Sequence, residues 1–384
     1  MSKLEELIQK YCPDGVEYIK LGNVTQVSRG TRVVKSQLSD SGYPVYQNCL
    51  TPMGYYDKTN CPSGTSFVIC GGAAGNVGYT NVDCWAADDC EYIETGDKVI
   101  NKYIYYCLMS NQHYLLSKVR KASIPRLSPS VIKDLEIPVP PLQVQEEIVR
   151  VLDTFTELQA ELQAELQKRF QQYNYYRYNL LSFEGRTDVE WKKLGDLCIK
   201  VCSGGTPARE NGDYFTGNIP WLRTQEVNWL DVYDTEIKIT EDAVRNSSAK
   251  LIPENCVIIA MYGATAAKAC INKIPLTTNQ ACCNLQIDPS QALYKYVFYC
   301  VCNEYENLKS LGQGSQKNIN AQIVKDYTIP VPSLAEQQKI VDVLDKFDSL
   351  NNDLSTGLPA EIEKRRQQYE YYRYKLLTFK IKEA

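Results

Sequence analysis

Histidine, the side chain most often used for acid–base catalysis, is almost missing from this sequence of 384 residues. His113 is the only one, so a histidine-based triad could be built nowhere else, and no Gly-x-Ser-x-Gly turn accompanies it. The Asn/Asp-Pro-Pro-aromatic motif of an amino-methyltransferase is also missing, because the one Pro-Pro pair lies between Val139 and Leu142. We therefore expect no catalytic residue in this chain.

Long apolar runs are missing too. No run approaches the roughly 18 residues that a membrane-spanning helix needs. The first ten residues do not form the apolar core of a signal peptide, because Glu5 and Glu6 interrupt them. The sequence predicts a cytoplasmic protein with no membrane partner.

Patterns that would bind a metal or a cofactor are equally scarce. The 15 cysteines include no paired Cys-x-x-Cys knuckles of a zinc site, so we expect free thiols and no metal. Gly72, Gly75 and Gly78 follow an apolar run but lack the close first glycine pair and the later acidic residue of a dinucleotide loop. Residues 263–268 lack the second glycine and the Ser/Thr of a phosphate loop. Both segments are better explained as tight turns, and no cofactor is predicted.

What the sequence does contain is a long internal repeat. Residues 137–183 begin Ile-Pro-Val-Pro, continue through Ile-Val-Arg-Val-Leu-Asp and end Tyr-Tyr-Arg-Tyr-Asn-Leu-Leu-Ser-Phe. Residues 329–379 begin Ile-Pro-Val-Pro, continue through Ile-Val-Asp-Val-Leu-Asp and end Tyr-Tyr-Arg-Tyr-Lys-Leu-Leu-Thr-Phe. The offset grows from 192 residues at Ile137 to 196 at Phe183, so the second copy carries a four-residue insertion. The chain is a tandem duplication.

Each repeated segment has the period of a helix. In the first copy, apolar positions recur about every 3.6 residues from Ile148 to Leu180, which predicts one amphipathic helix from Gln143 to Phe183, on the order of 60 Å long. The second copy has the same pattern, but Gly357 and Pro359 interrupt it. We expect a break or kink near residues 355–359 and a new helix from about residue 360. A short helix at residues 2–11 is expected to lie close to the carboxyl end.

The segments before each helix have short β-like runs separated by Gly, Asn and Asp clusters. The order predicts recognition domain 1 at residues 1–142, a spacer helix at 143–183, recognition domain 2 at 184–332 and a second spacer helix at 333–384. The predicted fold class is α+β: two α/β domains joined by two long antiparallel helices that form a coiled-coil spacer with approximate two-fold symmetry. Residues 263–268 are expected to fall where residues 72–77 stand in the first copy.

Taken together, these motifs resemble the specificity subunit of type I restriction-modification systems. Ile-Pro-x-Pro precedes a long helix ending Gln-Tyr-x-Tyr-Tyr-Arg-x-x-Leu-Leu-x-Phe, twice, and each copy follows a variable domain that starts Val-Glu-Tyr/Trp-x-x-Leu-Gly. The resemblance implies a non-catalytic subunit whose two target-recognition domains each read half of a bipartite double-stranded DNA sequence. It implies that the helices set the spacing and dock two methyltransferase subunits, which carry S-adenosylmethionine, and that restriction/translocase subunits join through the complex.

Charge alone does not predict DNA binding, because the net charge is −4 and a chain that grips phosphates is usually basic. We therefore expect affinity to come from local patches or from partner subunits. The candidates combine Arg or Lys with hydroxyl and amide side chains that read base edges. In domain 1 they are Arg29, Thr31, Arg32, Gln47, Asn48, Asn76, Arg120, Lys121, Ser123 and Arg126. In domain 2 they are Ser203, Thr206, Arg209, Arg223, Thr224, Gln225, Tyr262, Lys268, Gln313, Ser315, Gln316, Lys317 and Asn318.

The repeated tyrosines near the end of each helix allow two interpretations. They could stack on bases, but alternation between the helix seam and the exposed face favours packing and contact with a partner protein. On that interpretation the candidate partner-binding residues are Tyr175, Arg177, Tyr371 and Arg373. An adaptor with two protein- or RNA-binding domains on a coiled-coil spacer is the alternative function.

Overall fold

The structure is a computed structural model that describes residues 3–314, 317–352 and 357–382. The chain forms two compact units: unit 1 combines Met1–Ala164 with Glu361–Ala384, and unit 2 is the continuous segment Glu165–Ala360. Each unit contains one recognition domain and parts of the long helices. The predicted alternation of α+β domains and helices along the chain is confirmed.

Unit 1 contains three small sheets. Its elements are α1 (Lys3–Tyr11), β1 (Tyr18–Lys20), α2 (Leu21–Val24), β2 (Thr25–Arg29), a 3-10 turn (Lys35–Gln37), β3 (Tyr43–Tyr46), β4 (Tyr55–Tyr56), β5 (Thr65–Ile69), β6 (Val77–Thr80), β7 (Trp85–Ala86), β8 (Cys90–Thr95), α3 (Asn101–Ser110), α4 (Gln112–Ser117), α5 (Pro129–Lys133), β9 (Glu136–Pro138) and the first part of α6 (Leu142–Leu181). The sheet orders are β2-β8-β5-β6, β4-β3-β7 and β1-β9, and only β3 and β7 pair in parallel.

Unit 2 repeats this plan. Its elements are β10 (Glu190–Lys193), a 3-10 turn (Leu194–Leu197), β11 (Cys198–Ser203), a 3-10 turn (Gly212–Phe215), β12 (Ile219–Leu222), a 3-10 turn (Thr224–Glu226), β13 (Asp231–Val232), β14 (Lys238–Ile239), α7 (Glu241–Arg245), β15 (Val257–Ala260), a 3-10 turn (Gly263–Thr265), β16 (Ala269–Asn272), β17 (Thr277–Thr278), β18 (Cys282–Ile287), α8 (Tyr294–Asn303), α9 (Tyr305–Ser310), α10 (Ala321–Asp326), β19 (Thr328–Val331) and α11 (Leu334–Asn352). The sheet orders are β11-β18-β15-β16-β13, β14-β12-β17 and β10-β19, so β13 is the one added strand.

The central strands are apolar on both faces because both faces are covered. All five residues of β5 and all four of β15 are buried. In unit 1 the covering helix is α3, whose Tyr103, Ile104 and Leu108 are fully enclosed. In unit 2 the covering helix is α8, which buries Tyr296 and Val297 completely. These helices give each domain a rigid frame from which its loops project.

A buried glutamine joins the start of each long helix to its own domain. Gln145 accepts a hydrogen bond from the backbone N–H of Ile100 at 2.9 Å and donates to the carbonyls of Lys98 and Pro140. Gln337 accepts from the N–H of Leu293 at 2.9 Å and donates to the carbonyl of Pro332 at 2.9 Å. Neither glutamine has exposed surface. We call these two groups the glutamine clamps.

The long helices agree with the predicted period. Helix α6 spans Leu142–Leu181, one residue earlier at its start and two at its end than predicted. Within unit 1, Phe155 of α6 stacks on Tyr372 of the last helix, α12 (Leu358–Leu376), with ring centroids 5.3 Å apart. Within unit 2, Tyr176 of α6 stacks on Phe347 of α11 at 5.3 Å.

The second copy of the helix is described as two segments, α11 and α12. The predicted break near residues 355–359 falls partly outside the described residues, since 353–356 are not described. Helix α12 begins at Leu358, with Pro359 in its first turn, where the missing proline N–H costs no helical hydrogen bond.

The two ends of the chain meet inside unit 1. Val16 donates its N–H to the carbonyl of Lys380 at 2.8 Å and accepts from the N–H of Lys382 at 3.1 Å. Gly15 adopts φ +104°, and a Cβ there would lie 2.5 Å from the Lys380 carbonyl oxygen, so glycine is required. The expectation that the N-terminal segment lies close to the carboxyl end is confirmed.

Candidate nucleic-acid interface

The predicted contact residues of domain 1 gather around one tight turn, residues 87–90, between β7 and β8. Four backbone bonds fix this turn: Ala87 N–H to Tyr46 C=O at 2.8 Å, Cys90 N–H to Ala87 C=O at 2.9 Å, Cys70 N–H to Asp89 C=O at 2.7 Å and Gly30 N–H to Cys90 C=O at 2.9 Å. A Cβ at Gly30 would lie 2.2 Å from the Ala87 carbonyl oxygen, so only glycine fits there.

Three candidates bind this turn directly. The Nε of Arg29 donates to the carbonyl of Asp88 at 2.9 Å, and the amide of Gln47 donates to the Asp88 carboxylate at 3.4 Å. The guanidinium of Arg126 forms an ion pair with Asp89 at 2.7 Å. Arg29 also lies opposite the buried Glu91 in the sheet register. Burial raises the pKa of Glu91, and the positive charge of Arg29 partly opposes that effect.

A hairpin at residues 120–126 brings in the next candidates. Arg120 and Arg126 exchange both backbone hydrogen bonds, at 2.8 and 3.2 Å. Lys121 and Ser123 are exposed at the hairpin tip. Gly72 donates its N–H to Pro125 at 3.1 Å, which ties the hairpin to the end of β5.

The remaining candidates of domain 1 lie on neighbouring loops of the same frame. Asn48 accepts a backbone bond from Ala73 at 2.8 Å, and the side-chain oxygen of Asn76 accepts from Gln112 at 3.3 Å. Thr31 donates its N–H to Ala86 at 2.9 Å, and Arg32 follows it on the exposed side. The structure therefore brings the ten candidates of domain 1 to one group of loops.

Domain 2 has the same turn at residues 279–282. Asn279 N–H donates to Leu222 C=O at 2.9 Å, Cys282 N–H to Asn279 C=O at 3.2 Å, and Met261 N–H to Ala281 C=O at 2.8 Å. Gly204 takes the place of Gly30, since a Cβ there would lie 1.9 Å from the Thr278 carbonyl oxygen. The Thr206 hydroxyl donates to the side-chain oxygen of Gln280.

The other candidates of domain 2 also lie on loops near this turn, with two groups of exceptions. Arg223 forms ion pairs with Glu226 and Glu236, Lys268 donates to Asn228 at 2.7 Å, and the Asn318 side chain accepts from the N–H of Gly263 at 3.0 Å. Thr224, Gln225, Tyr262, Gln313 and Lys317 lie on the same loops, and Ser203 ends β11. Arg209 is on the exposed segment after β11. Ser315 and Gln316 lie outside the described residues.

Matching backbone bonds show which positions correspond. Ile69 donates to the carbonyl of Asn76 just as Ala260 donates to that of Lys268, and Leu127 donates to Cys70 as Ile319 donates to Met261. The candidate pairs that result are Arg32 and Thr206, Gln47 and Arg223, Asn48 and Thr224, Asn76 and Lys268, and Arg126 and Asn318. At each pair the backbone environment is alike and the polar side chain differs.

One predicted correspondence is wrong by a single residue. Gly72 and Gly263 do match, with φ +81° and +82°. At the other end Lys268 matches Asn76 rather than Val77, because the loop of domain 2 is one residue longer. Sequence comparison missed this insertion because both loops consist mainly of Gly and Ala.

The candidate partner-binding residues divide into two kinds. Tyr175 and Tyr371 are 66% and 60% exposed. Arg177 and Arg373 instead lie over the rings of their neighbours Tyr173 and Tyr369, at 5.1 and 5.2 Å, and their Nε atoms are buried without a hydrogen-bond partner. The two arginines are therefore half-buried packing residues as well as candidate anchors.

Two negative observations apply to the described part of the chain. Among residues 3–314, 317–352 and 357–382, no group of three or more His, Cys, Asp or Glu side chains could hold a metal ion. Within the same ranges, no helix is both long and apolar enough to cross a bilayer.

Comparison with known proteins gives this arrangement a class. The family model for the type I restriction modification DNA specificity domain matches the chain twice, over residues 13–170 and 187–364. The chain is thus a two-domain DNA specificity protein. It belongs to the type I restriction-modification specificity family, which confirms the family predicted from the repeats.

Relatives and solved structures agree with this assignment. The chain is 36% identical to the type I restriction enzyme EcoR124I/EcoR124II specificity subunit of Escherichia coli, over 99% of this chain and 97% of that one. It is 30% identical to the putative specificity subunit S.HindORF215P of Haemophilus influenzae, over 77% and 76%. The crystal structure of the S subunit from M. genitalium has the same fold, with a TM-score of 0.63, 17% identity and coverage of 94% and 96%.

Proposed function

We propose that each recognition domain reads one half of a bipartite double-stranded DNA target through the loops around its turn, residues 87–90 in domain 1 and 279–282 in domain 2. The supporting observation is the matched frame: equivalent backbone bonds hold different polar side chains at corresponding positions. Two readers on one scaffold give two half-site sequences without changing the fold. The chain performs no chemical step of its own in this function.

The long helices hold the two readers apart and dock the catalytic partners. We expect α6 to run antiparallel to the α11–α12 segment as a coiled-coil spacer that sets the distance between half-sites. Exposed Tyr175 and Tyr371 each offer an aromatic anchor to a methyltransferase subunit. Two such subunits would bring S-adenosylmethionine and the methyl-transfer chemistry, and restriction/translocase subunits would join through the complex.

The partners are also expected to provide much of the phosphate contact. The chain has a net charge of −4, and two of its candidate cations, Arg126 and Arg223, are held by acidic side chains. Such paired arginines are well oriented for base edges but contribute less net positive charge to the surface. Specificity would then come from this chain and much of the affinity from the complex.

Sequencing of methylated DNA tests the function. A host strain that expresses the complex should carry a bipartite methylated motif, and deletion of this gene alone should remove it. Complementation with the intact gene is the control and should restore the motif. An unchanged methylation pattern after deletion, in a strain shown to express the protein, would contradict the proposal.

A further inference from the structure

We propose that Asp88 and Gln280, one in each recognition domain, are specificity-determining residues that face a DNA base edge. Neither was among the residues predicted from the sequence. This inference rests on the proposed function, and it adds the position within each turn that selects the base and the hydrogen-bonding class that it selects.

The two residues hold the same place in the same turn. In each domain, the residue before them donates its N–H to the last residue of a neighbouring strand, Tyr46 or Leu222. The residue after them accepts from the end of the central strand segment, at Cys70 or Met261. The backbone is therefore fixed on both sides of the position. The frame leaves the side chain as the part that is free to differ.

The side chains at this position contact neighbouring candidates. The Asp88 carboxylate accepts from the amide of Gln47 at 3.4 Å, and its backbone carbonyl accepts from Arg29 at 2.9 Å. The side-chain oxygen of Gln280 accepts from the hydroxyl of Thr206. Position 88 or 280 thus orients a second polar side chain in its own domain, as a base-reading pair requires.

The hydrogen-bonding character differs between the domains. In domain 1, an ionised Asp88 only accepts, and Gln47, having given one N–H to it, still presents its amide oxygen. This turn favours bases that offer an exocyclic amino group, cytosine N4 or adenine N6. In domain 2, Gln280 uses its oxygen for Thr206 and keeps its amide N–H groups. This turn favours acceptor edges, such as guanine O6 and N7.

Near-isosteric substitutions test the proposal in the assembled complex with its methyltransferase subunits. Asp88→Asn exchanges an acceptor for an amide, and Gln280→Glu makes the reverse exchange. Each complex is incubated with a randomised library of DNA duplexes, and the bound fraction is sequenced. We expect Asp88→Asn to relax or change the preferred base in one half-site, with a loss on the order of tenfold or more for the original base. Gln280→Glu should do the same in the other half-site only.

Asp83→Asn is the matched control. Asp83 lies five residues before Asp88, and its carboxylate caps the N–H of Ser63 at 2.8 Å rather than facing the turn. This variant should select the original motif in both halves. Thermal unfolding and complex assembly are measured for all three variants, so that a folding defect is recognised directly.

The outcomes separate this inference from the function beneath it. If the wild-type complex selects no bipartite motif, the proposed function fails. If the wild type selects a motif and both variants, folded and assembled, select the same motif as Asp83→Asn, only the assignment of residues 88 and 280 fails. Changes by both variants in the same half-site would overturn it as well.

Discussion

Glu147 is the clearest example of a single charged residue that the fold depends on. Its side chain is 4% exposed and accepts hydrogen bonds from Arg150 at 2.5 Å and from Lys3 of α1 at 2.8 Å. The bonds from Arg150 and then Lys3 outweigh the effect of burial and lower the pKa of Glu147 to about 2. The carboxylate thus links the N-terminal helix to the start of α6 within unit 1.

This gives a pH-dependent prediction. A carboxyl group with a lowered pKa stabilises the folded state above its ordinary pKa, near 4.5, and that contribution is lost as the pH falls towards about 2. Glu147→Gln should therefore lower the free energy of unfolding at pH 7 by about 1 kcal/mol, a modest value because Lys3 and Arg150 are mostly exposed. Urea unfolding at pH 7, 4 and 3 should show the difference from wild type shrinking. A constant difference across this range would contradict the ionic explanation.

At the residue scale, sequence reasoning found the loops but not the turn that organises them. Arg29, Gln47 and Arg126 were predictable, because polar side chains near glycines on a rigid frame often bind ligands. Asp88 and Asp89 were not, because their importance lies in backbone hydrogen bonds from segments distant in sequence. The acidic pair directly after the β-like run 84–87 was the one available signal.

Among the elements, the glutamine clamps are the connection between each domain and its helix. Gln145→Leu would remove one acceptor and both donors, leaving the Ile100 N–H and two carbonyl groups without partners in a dry site. Each unsatisfied buried group costs about 1–3 kcal/mol. We expect a loss of at least about 2 kcal/mol in the free energy of unfolding, measured by urea denaturation.

Gln143→Leu is the matched control for the clamp, because Gln143 lies two residues earlier on α6 and is exposed. Its stability should stay within about 0.5 kcal/mol of wild type. Equal effects of the two substitutions would mean that Gln145 acts only through helix propensity and not as a clamp.

The exposed tyrosines and the stacked arginines of the long helices should behave differently. Tyr371→Ala should weaken association with the methyltransferase subunit by about tenfold, as loss of an aromatic anchor does, without changing the unfolding temperature of the isolated chain. Arg373→Glu should weaken association and also lower that temperature, because Arg373 covers the ring of Tyr369. Neither should change the recognised sequence.

Analytical ultracentrifugation of the complex and thermal unfolding of the chain measure the two effects. Tyr114→Ala, which removes a 44% exposed tyrosine from α4, is the control and should leave both unchanged. An altered methylation motif with intact assembly would contradict the docking role.

Element existence was predictable where periodicity is long. The 3.6-residue repeat placed α6 to within one or two residues, and the stretch 99–119 contains α3 and α4 as predicted. The strand order was not predictable, since pairings such as β3 with β7 join residues forty positions apart. Added strand β13 was also missed, because it has only two residues.

For the whole molecule, the balance of charge predicts how DNA binding depends on salt. A chain with a net charge of −4 should release few counterions on its own, whereas an assembled complex with basic partners should release many. The slope of log affinity against log salt concentration should therefore be clearly steeper for the complex than for the isolated chain. Fluorescence anisotropy with a labelled duplex measures both. Equal slopes and affinities would show that this chain supplies the phosphate contacts itself.

The composition of unit 1 from both ends of the chain has a consequence for the time course of synthesis. Unit 2 is continuous, so its core residues have all been made once the ribosome reaches residue 360. Unit 1 is made first but waits for residues 361–384, including Leu377 in its core and the strand that pairs with Val16. Domain 1 therefore spends most of translation with an apolar face uncovered, and the first domain to be made is the last to be completed.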